Sequence, residues 1–167
     1  MPTTRSLDWT SFERLCEAIA RRVEEERIDL VVGVARGGLP AAVWLSHRLN
    51  AGAFGTVLAR KTESEEAFAI DRESRLTMDG GVLPSCAPTA ILVVDDVVAY
   101  ADIFAAVEQA IRDRYGEDVC LRPAALFADC AQIADGPYSP LLDSLVYGED
   151  IDNTSVWIDF PWEQCAA

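Results

Sequence analysis

Residues 90–96 read Ala-Ile-Leu-Val-Val-Asp-Asp, an apolar run that ends on two adjacent acids. A continuous run of branched aliphatic residues is typical of a β-strand that is covered on both faces of a parallel sheet. Residues 29–34 show a similar pattern and lead into the glycine turn Ala35-Arg36-Gly37-Gly38. Because a stretch with helical spacing follows each run, the two units predict an α/β fold, with a central parallel β-sheet flanked by helices.

The same alternation extends along the rest of the chain. Thr10-Ser11-Phe12-Glu13 reads as a capping box, which predicts a helix that begins with Thr10 as its N-cap and runs to about Arg27. Two more helices are predicted, from Pro40 to Asn50 and from about Asp102 to Tyr115. Further strands are predicted over residues 55–60, 119–128 and 144–147, and Pro123 makes the second of these irregular or places it near a sheet edge.

The length of 167 residues suits a single domain. Residues 61–88 interrupt the pattern with charged and small side chains, among them Lys61 and Arg75. We expect this excursion to form a hairpin or a mobile flap, since long insertions into compact domains are often functional. The described pattern closes with the apolar and aromatic residues 156–163.

The charge balance excludes two classes of partner. The chain carries 14 basic and 28 acidic side chains, for a net charge of −14. Such a chain offers few cations to neutralise phosphates, so we expect it to bind neither anionic membrane surfaces nor, unless its arginines cluster on one face, nucleic acid. No apolar run approaches the ~18 residues that a transmembrane helix requires.

The five cysteines are far apart in the sequence and form no C-x-x-C pair. Cys16, Cys120 and Cys130 lie in apolar-patterned stretches, so we expect buried free thiols rather than a zinc site or disulfides. Free thiols fit a reducing compartment, and the sequence therefore predicts a cytoplasmic protein.

Unusual polar residues follow the two predicted central strands, where ligands bind in parallel sheets. In the turn Arg36-Gly37-Gly38, the glycines allow backbone N–H groups to approach an anion, and Arg36 supplies a fork that matches phosphate oxygens. The pair Asp95-Asp96 is suited to holding magnesium, accepting hydrogen bonds from sugar hydroxyls or capping the next loop. A simple tight turn and a loop cap remain open as structural alternatives.

Three motifs occur in order: residues 31–38, residues 91–98 and the tail Trp157-Ile158-Asp159-Phe160-Pro161-Trp162-Glu163. Together they resemble the type I phosphoribosyltransferases, in particular the small xanthine–guanine and hypoxanthine enzymes, over nearly the whole chain. The resemblance implies a parallel sheet with a hood and a flap. It also implies transfer of ribose 5-phosphate from 5-phosphoribosyl 1-pyrophosphate (PRPP) to a base with Mg²⁺, and assembly into a homo-oligomer.

The resemblance also implies a role for each matching residue. Arg36, Gly37 and Gly38 would bind pyrophosphate, and Asp95 and Asp96 would act as the catalytic acids that face the ribose hydroxyls and the metal. Base binding would fall to Trp157, which would stack on the ring, and to the main chain near Ile158.

This chain departs from the PRPP signature of the family just after the acid pair. The family pattern continues as two hydrophobic residues, Asp, Thr, Gly, any residue and Thr. This chain instead has Ala99, Tyr100, Ala101, Asp102 and Ile103. Ala99 stands where the family has an acid that handles a base proton, and Asp102 places a carboxylate where the 5′-phosphate would bind. We expect Asp102 to cap the helix and to replace that phosphate electrostatically.

A second departure follows the strand predicted over residues 119–128. Purine enzymes of the family usually have a lysine here, which donates to the 6-oxo group of the base, whereas this chain has Asp129. An acceptor at this position favours an exocyclic amine, as in adenine or cytosine, and a solvated loop acid is the alternative.

Two functions follow from the sequence. The first is a purine phosphoribosyltransferase with an altered phosphate loop. The second is a non-catalytic protein of the same fold that binds another small ligand (a nucleotide, base or phosphosugar) or a partner chain. The replaced phosphate loop favours the second.

Overall fold

The computed structural model describes residues 3–60, 77–151 and 156–164. The described strands are β1 (Thr3–Ser6), β2 (Leu30–Ala35), β3 (Ala53–Arg60), β4 (Thr77–Val82), β5 (Ala90–Val98), β6 (Cys120–Ala128), β7 (Val146–Asp150) and β8 (Val156–Asp159). The helices are α1 (Trp9–Val23), α2 (Leu39–Arg48), α3 (Asp102–Tyr115) and α4 (Cys130–Ala134), with short 3₁₀ turns at Glu24–Glu26 and Ser139–Asp143.

The predicted α/β architecture is confirmed. Six strands form the main sheet in the order β4-β3-β2-β5-β6-β7, and β1 pairs with β8 in a separate sheet. Neighbours in the main sheet are parallel except β4, which runs antiparallel to β3 at one edge. One hydrophobic core lies between the sheet and helices α1 and α2, and a second lies between the sheet and α3. Helices therefore cover both faces, as buried parallel strands require.

The boundaries of α1 differ from the prediction. Its inward face carries Phe12, Leu15, Ile19 and Val23, as the spacing predicted. The N-cap, however, is Asp8, whose carboxylate accepts a hydrogen bond of 2.7 Å from the Ser11 backbone N–H. The predicted capping box at Thr10 is therefore wrong, because an ionised Asp two residues earlier provides a stronger acceptor for the first-turn N–H groups.

Two strand predictions also need correction. Pro123 does not mark an edge, because β6 lies between β5 and β7. Pairing with β7 begins only at Ala124, so the missing N–H of Pro123 costs no hydrogen bond on that side. The last strand of the main sheet begins at Val146 rather than at residue 144.

The excursion over residues 61–88 falls partly outside the described residues. Its described part contains β4, which pairs with β3 in an antiparallel register. A flap that includes Lys61 and Arg75 stays a prediction, since both residues lie outside the described ranges.

The hood combines both ends of the described chain. β8 pairs in parallel with β1, with Trp157 opposite Thr4. Beyond β8, Phe160 is buried and stacks on Trp162 at a ring-centroid distance of 4.6 Å. Trp162 in turn meets Phe12 of α1 edge-on at 5.6 Å. The aromatic tail thus anchors the C-terminal segment to the core of the domain.

The described cysteines are all free. Cys16 is buried, and burial raises the pKa of its thiol to about 12, so it is inert at neutral pH. Cys130 is half-buried, whereas Cys120 is exposed, and the expectation of burial is wrong for Cys120. Among the described helices, none is both long and apolar enough to cross a bilayer.

Candidate functional site

The candidate site lies where the strand order of the main sheet reverses. From β2 the chain moves to β3 on one side, and from β5 it moves to β6 on the other. The crevice beyond the carboxyl ends of β2 and β5 is therefore a topological switch point, the usual ligand site of open α/β sheets. Both polar motifs of the sequence lie at this crevice.

The glycine turn packs directly against the acid pair. A Cβ added to Gly37 would lie 1.9 Å from Oδ2 of Asp96, and one added to Gly38 would lie 2.4 Å from the carbonyl oxygen of Val94. Only glycine allows the two chain segments to approach this closely. The Ala35–Arg36 peptide bond is cis, and the Gly38 N–H donates to the Val34 carbonyl at 3.0 Å.

The acid pair lies inside β5 rather than in the loop after it, because the strand continues to Val98. Oδ1 of Asp95 accepts a hydrogen bond from the Asp96 N–H at 2.9 Å, and Oδ1 of Asp96 accepts one from the Val97 N–H at 2.8 Å. Asp95 is only 7% exposed. Burial raises the pKa of Asp95 well above its usual range, and the adjacent charge of Asp96 raises it further. Burial also raises the pKa of Asp96, although the hydrogen bonds that it receives oppose the shift.

These two carboxylates suit a magnesium ion chemically. They supply the hard oxygen donors that Mg²⁺ prefers, and Mg²⁺ commonly binds to one or two carboxylates while water or substrate phosphates complete its shell. A cation would also offset the repulsion between the two buried acids. Among the described residues no group of three or more His, Cys, Asp or Glu forms a metal cage. Two carboxylate groups leave the rest of an octahedral shell to water or to a ligand.

The loop that leads from β5 to α3 has the altered signature. Ala101 is buried and has a φ of 61°, in the left-handed region that favours glycine. It is also the N-cap of α3, and no side chain caps the helix from that position. Ala101 therefore has the left-handed backbone conformation typical of glycine, at the position where the family signature has glycine, but it carries a methyl side chain.

Asp102 occupies the first helical position of α3, so the prediction that it is the N-cap itself is wrong. Its Oδ1 accepts a hydrogen bond of 3.2 Å from the Ile103 backbone N–H. A carboxylate therefore lies at the positive end of the helix, where an external anion would otherwise bind. Asp102 is one position too late to be the N-cap, because Ala101 in its left-handed conformation already occupies that position. Ala99 and Tyr100 lie in this loop and are partly exposed.

Asp129 lies at the carboxyl end of β6, at the same sheet edge. Its backbone N–H donates to the Val98 carbonyl at 2.9 Å, which fixes it beside the end of β5. The residue is only 2% exposed, and Oδ1 accepts a hydrogen bond from the Gln132 N–H at 2.9 Å, so Asp129 is the N-cap of α4. The alternative of a solvated loop acid is therefore wrong, and a role in base binding stays a prediction.

Trp157 and Ile158 lie in the middle of β8. Ile158 is buried in the core beneath α1, whereas Trp157 is half-exposed, as alternation along a strand requires. Their predicted role in base binding stays a prediction.

Sequence reasoning did not single out Glu163 as a site residue. Its carboxylate accepts a hydrogen bond from the Phe160 N–H at 3.1 Å. Desolvation raises the pKa of Glu163, and the charges of Asp96 and Asp159 add to the shift while Arg36 opposes it. The tail therefore brings a third acid near Arg36 and Asp96. The position of Glu163 in the tail motif was the only signal available in the sequence.

A glycine turn packed on a buried acid pair, at the switch point of a parallel sheet, defines an α/β protein built to bind a small polar ligand. Comparison with known proteins identifies the family within this class. The chain is 33% identical to an adenine phosphoribosyltransferase of Geobacter metallireducens over 122 residues, 70% of each chain. It is 22% identical to a xanthine-guanine phosphoribosyltransferase of Chromohalobacter salexigens over 97% of this chain and 85% of the relative.

Solved structures show the same fold. The crystal structure of a purine phosphoribosyltransferase from Pyrococcus horikoshii superposes with a TM-score of 0.70 at 22% identity, covering 98% of this chain and 97% of that one. No family model matches the chain. The 33% identity over 70% of the chain nevertheless shows the family: this chain belongs to the type I phosphoribosyltransferases, and its relatives act on purines.

Proposed function

We propose that this chain is a purine phosphoribosyltransferase relative that no longer transfers the phosphoribosyl group from PRPP, and that it binds a purine-type ligand without a 5′-phosphate. The observation that carries the proposal is the carboxylate of Asp102 at the start of α3, hydrogen-bonded to the Ile103 N–H. At an effective dielectric constant of ~20, a like charge ~4 Å away opposes phosphate binding by about 4 kcal/mol before screening. That corresponds to about a thousandfold in affinity.

The glycine turn and the acid pair support the proposal that the site still binds a small ligand. The turn Arg36-Gly37-Gly38 and the pair Asp95-Asp96 keep the backbone approach that only glycine permits. In the proposal, the turn and Arg36 bind a pyrophosphate-like or polar group, and the two acids hold Mg²⁺ or accept hydrogen bonds from sugar hydroxyls. Mg²⁺ in the millimolar range should then raise the melting temperature of the wild type but not of the double variant Asp95→Asn/Asp96→Asn.

The ligand class follows from the relatives and from the sheet edge. The names of the relatives specify adenine or xanthine and guanine as substrates. Oδ1 of Asp129 caps α4, so the other oxygen of this carboxylate would be the acceptor, which favours an amine-bearing base such as adenine over hypoxanthine. Trp157 would stack on that base, with the main chain at Ile158 reading its edge. A clear preference for hypoxanthine or xanthine in binding assays would contradict this part of the proposal.

The second candidate is an active purine phosphoribosyltransferase, which the 33% identity to an adenine enzyme favours. One assay separates the two: release of pyrophosphate from PRPP with Mg²⁺ and a panel of bases. The proposal expects no turnover above background in the wild type. It expects activity to appear when Asp102→Asn removes the opposing charge and Ala99→Asp, Tyr100→Thr, Ala101→Gly and Ile103→Thr restore the signature in the same variant. Turnover by the wild type would establish the second candidate.

The proposal also covers the cellular compartment and the assembly of the protein. The free cysteines of the described residues support a reducing compartment, and we propose the cytoplasm. We also propose a homo-oligomer, as the resemblance implies.

A further inference from the structure

The carboxyl edge of the main sheet presents carboxylates from three neighbouring segments. Asp95 and Asp96 lie near the end of β5, Asp102 begins α3, and Asp129 directly follows β6. The Asp129 N–H donates to the Val98 carbonyl at 2.9 Å, so the ends of β5 and β6 lie side by side. An ionised carboxylate accepts hydrogen bonds and donates none. This part of the crevice therefore favours a ligand that is rich in O–H and N–H donors.

Backbone hydrogen bonds hold each of these four carboxylates in place. In each, Oδ1 accepts a hydrogen bond of 2.8–3.2 Å from a backbone N–H of the same segment. A side chain that is already oriented loses little further freedom when a ligand binds, so the four acceptors are preorganised. An ionised carboxylate has about four acceptor sites in all, so one such bond leaves capacity for a ligand.

Asp129 shows that one of these acceptors is open to a ligand. The residue is only 2% exposed, and its side-chain hydrogen bond with the described residues engages Oδ1. In the described part of the chain, every fully buried side-chain oxygen or nitrogen has a hydrogen-bond partner. Oδ2 of Asp129 is therefore not fully buried, and it reaches accessible space at the edge of the sheet. An N–H donor of a ligand can bond to it there.

Asp102 discriminates between a phosphate and a hydroxyl at the start of α3. A phosphate is negatively charged, so the carboxylate repels it. A hydroxyl is neutral and can donate a charge-assisted hydrogen bond to the same carboxylate. Asp102 is half-buried, which shields such a bond from full competition with water. The residue that opposes a 5′-phosphate is therefore a suitable partner for a 5′-hydroxyl.

We propose that the ligand of this site is a ribonucleoside with an amine-bearing base, and that its 5′-hydroxyl donates to the Asp102 carboxylate. This inference rests on the proposed function, in which the ligand has no 5′-phosphate, and it names the class of that ligand. The molecule has one donor group for each acceptor segment: the 5′-hydroxyl for Asp102, the sugar diol for Asp95 and Asp96, and the exocyclic amine for Asp129. A free base lacks the first two groups, and a nucleoside 5′-monophosphate brings a charge that Asp102 repels.

Calorimetric titration of the wild type with three ligands tests the inference. The ligands are adenosine, 5′-deoxyadenosine, which lacks only the 5′-oxygen, and adenosine 5′-monophosphate, all in about 0.15 M salt. Adenosine should bind at least about tenfold more tightly than 5′-deoxyadenosine, because the bond to a charged acceptor is lost in the latter. It should bind at least about a hundredfold more tightly than the monophosphate, because the phosphate meets a like charge.

The outcomes separate this inference from the proposed function. Equal affinities for adenosine and 5′-deoxyadenosine overturn the inference, whereas the proposed function stands if the monophosphate binds more weakly than both. A wild type that does not bind adenosine also overturns the inference, and binding of adenine in that case keeps the proposed function. A monophosphate that binds as tightly as adenosine contradicts the proposed function and the inference together.

The variant Asp102→Asn tests the residue that carries the discrimination. The ratio of adenosine affinity to monophosphate affinity should fall at least about tenfold, because an amide neither repels the phosphate nor offers a charged acceptor. A merely structural role for Asp102 would weaken both ligands alike and leave this ratio unchanged. Asp113→Asn is the matched control on the same helix and should keep the wild-type ratio, since Asp113 is exposed near the other end of α3. An unchanged ratio in a folded Asp102→Asn protein overturns the inference.

Inosine tests the amine-bearing base. It differs from adenosine by an oxo group in place of the exocyclic amine, so it offers an acceptor where Asp129 needs a donor. Inosine should bind to the wild type at least about tenfold more weakly than adenosine. A wild type that binds inosine as tightly as adenosine overturns the assignment of the base.

Discussion

At the residue scale, the acid pair shows both how much a sequence predicts and where it stops. Two adjacent acids after an apolar run predicted the location of the site, because burying carboxylates is costly unless a ligand or another partner stabilises them. The sequence did not predict that the pair lies within β5, beneath Gly37. That contact joins segments nearly sixty residues apart, so no local pattern contains it.

The first prediction concerns Asp95. Its pKa is raised above the ordinary value of 3.8, so the native state holds more protons than the unfolded state between that pH and the raised pKa. The stability that this group contributes is fully present below the unfolded pKa and is lost as pH rises through the folded pKa. Asp95→Asn should therefore increase the free energy of unfolding at pH 7, with the gain shrinking toward pH 4.

Urea denaturation at several pH values measures this effect. Asp143→Asn, an exposed acid in the last 3₁₀ turn, serves as the control and should change stability little at any pH. If Asp95→Asn were less stable than the wild type at pH 7, burial of the ionised pair would not be the destabilising feature described here.

At the element scale, helix and strand types were predicted well and their ends less well. Apolar spacing found α1, α2 and α3 because packing of one face decides whether a helix forms. Ends depend on single hydrogen bonds, such as the one that the Ser11 N–H donates to the Asp8 carboxylate, and two plausible caps within three residues cannot be ranked from sequence. β1 was not predicted, because the pairing of Thr3–Ser6 with β8 joins the two ends of the chain.

The second prediction concerns the end of α1. The 3₁₀ turn after α1 closes on Arg27, which has a φ of 49° and is exposed. A side chain is strained in this left-handed conformation, whereas glycine is not. Arg27→Gly should therefore stabilise the protein by about 0.5–1 kcal/mol.

Thermal denaturation checks the Arg27 prediction. Arg21→Gly provides the comparison, because Arg21 lies within α1 and bonds to Glu17 at 3.1 Å. There glycine should destabilise by about 1 kcal/mol. Equal losses from both substitutions would show that the left-handed turn at Arg27 carries no strain.

At the scale of the whole molecule, the fold class and the family could be predicted from the order of three short motifs. Parallel β-α units, the glycine turn and the acid pair leave few topologies open. The strand order of the main sheet could not be predicted in this way. β5 pairs with β2 rather than with β4, the strand before it in the chain, and no local pattern of the sequence contains that pairing.

The third prediction concerns the anchoring of the tail. Phe160 is 3% exposed and packs against Phe127 and Trp162. Phe160→Ala should lower the free energy of unfolding by about 3–5 kcal/mol, the usual cost of removing a buried phenyl ring. Trp9→Ala is the control, because Trp9 is 58% exposed and its loss should cost far less. Denaturant titration gives both values, and a similar small loss in both would contradict a tail that is part of the core.

The central claim is that the carboxylate of Asp102 has replaced the phosphate of PRPP. Calorimetric titration of PRPP with Mg²⁺ into the wild type, Asp102→Asn and Asp113→Asn tests it most directly. Asp113 lies near the other end of α3 and is exposed, so its substitution makes the same change in net charge away from the loop.

In about 0.15 M salt, the wild type and Asp113→Asn should bind PRPP no more tightly than the millimolar range. Asp102→Asn should bind at least about tenfold more tightly, because the opposing charge is gone. Micromolar binding by the wild type, or an Asp102→Asn variant that binds no better than Asp113→Asn, would contradict the account.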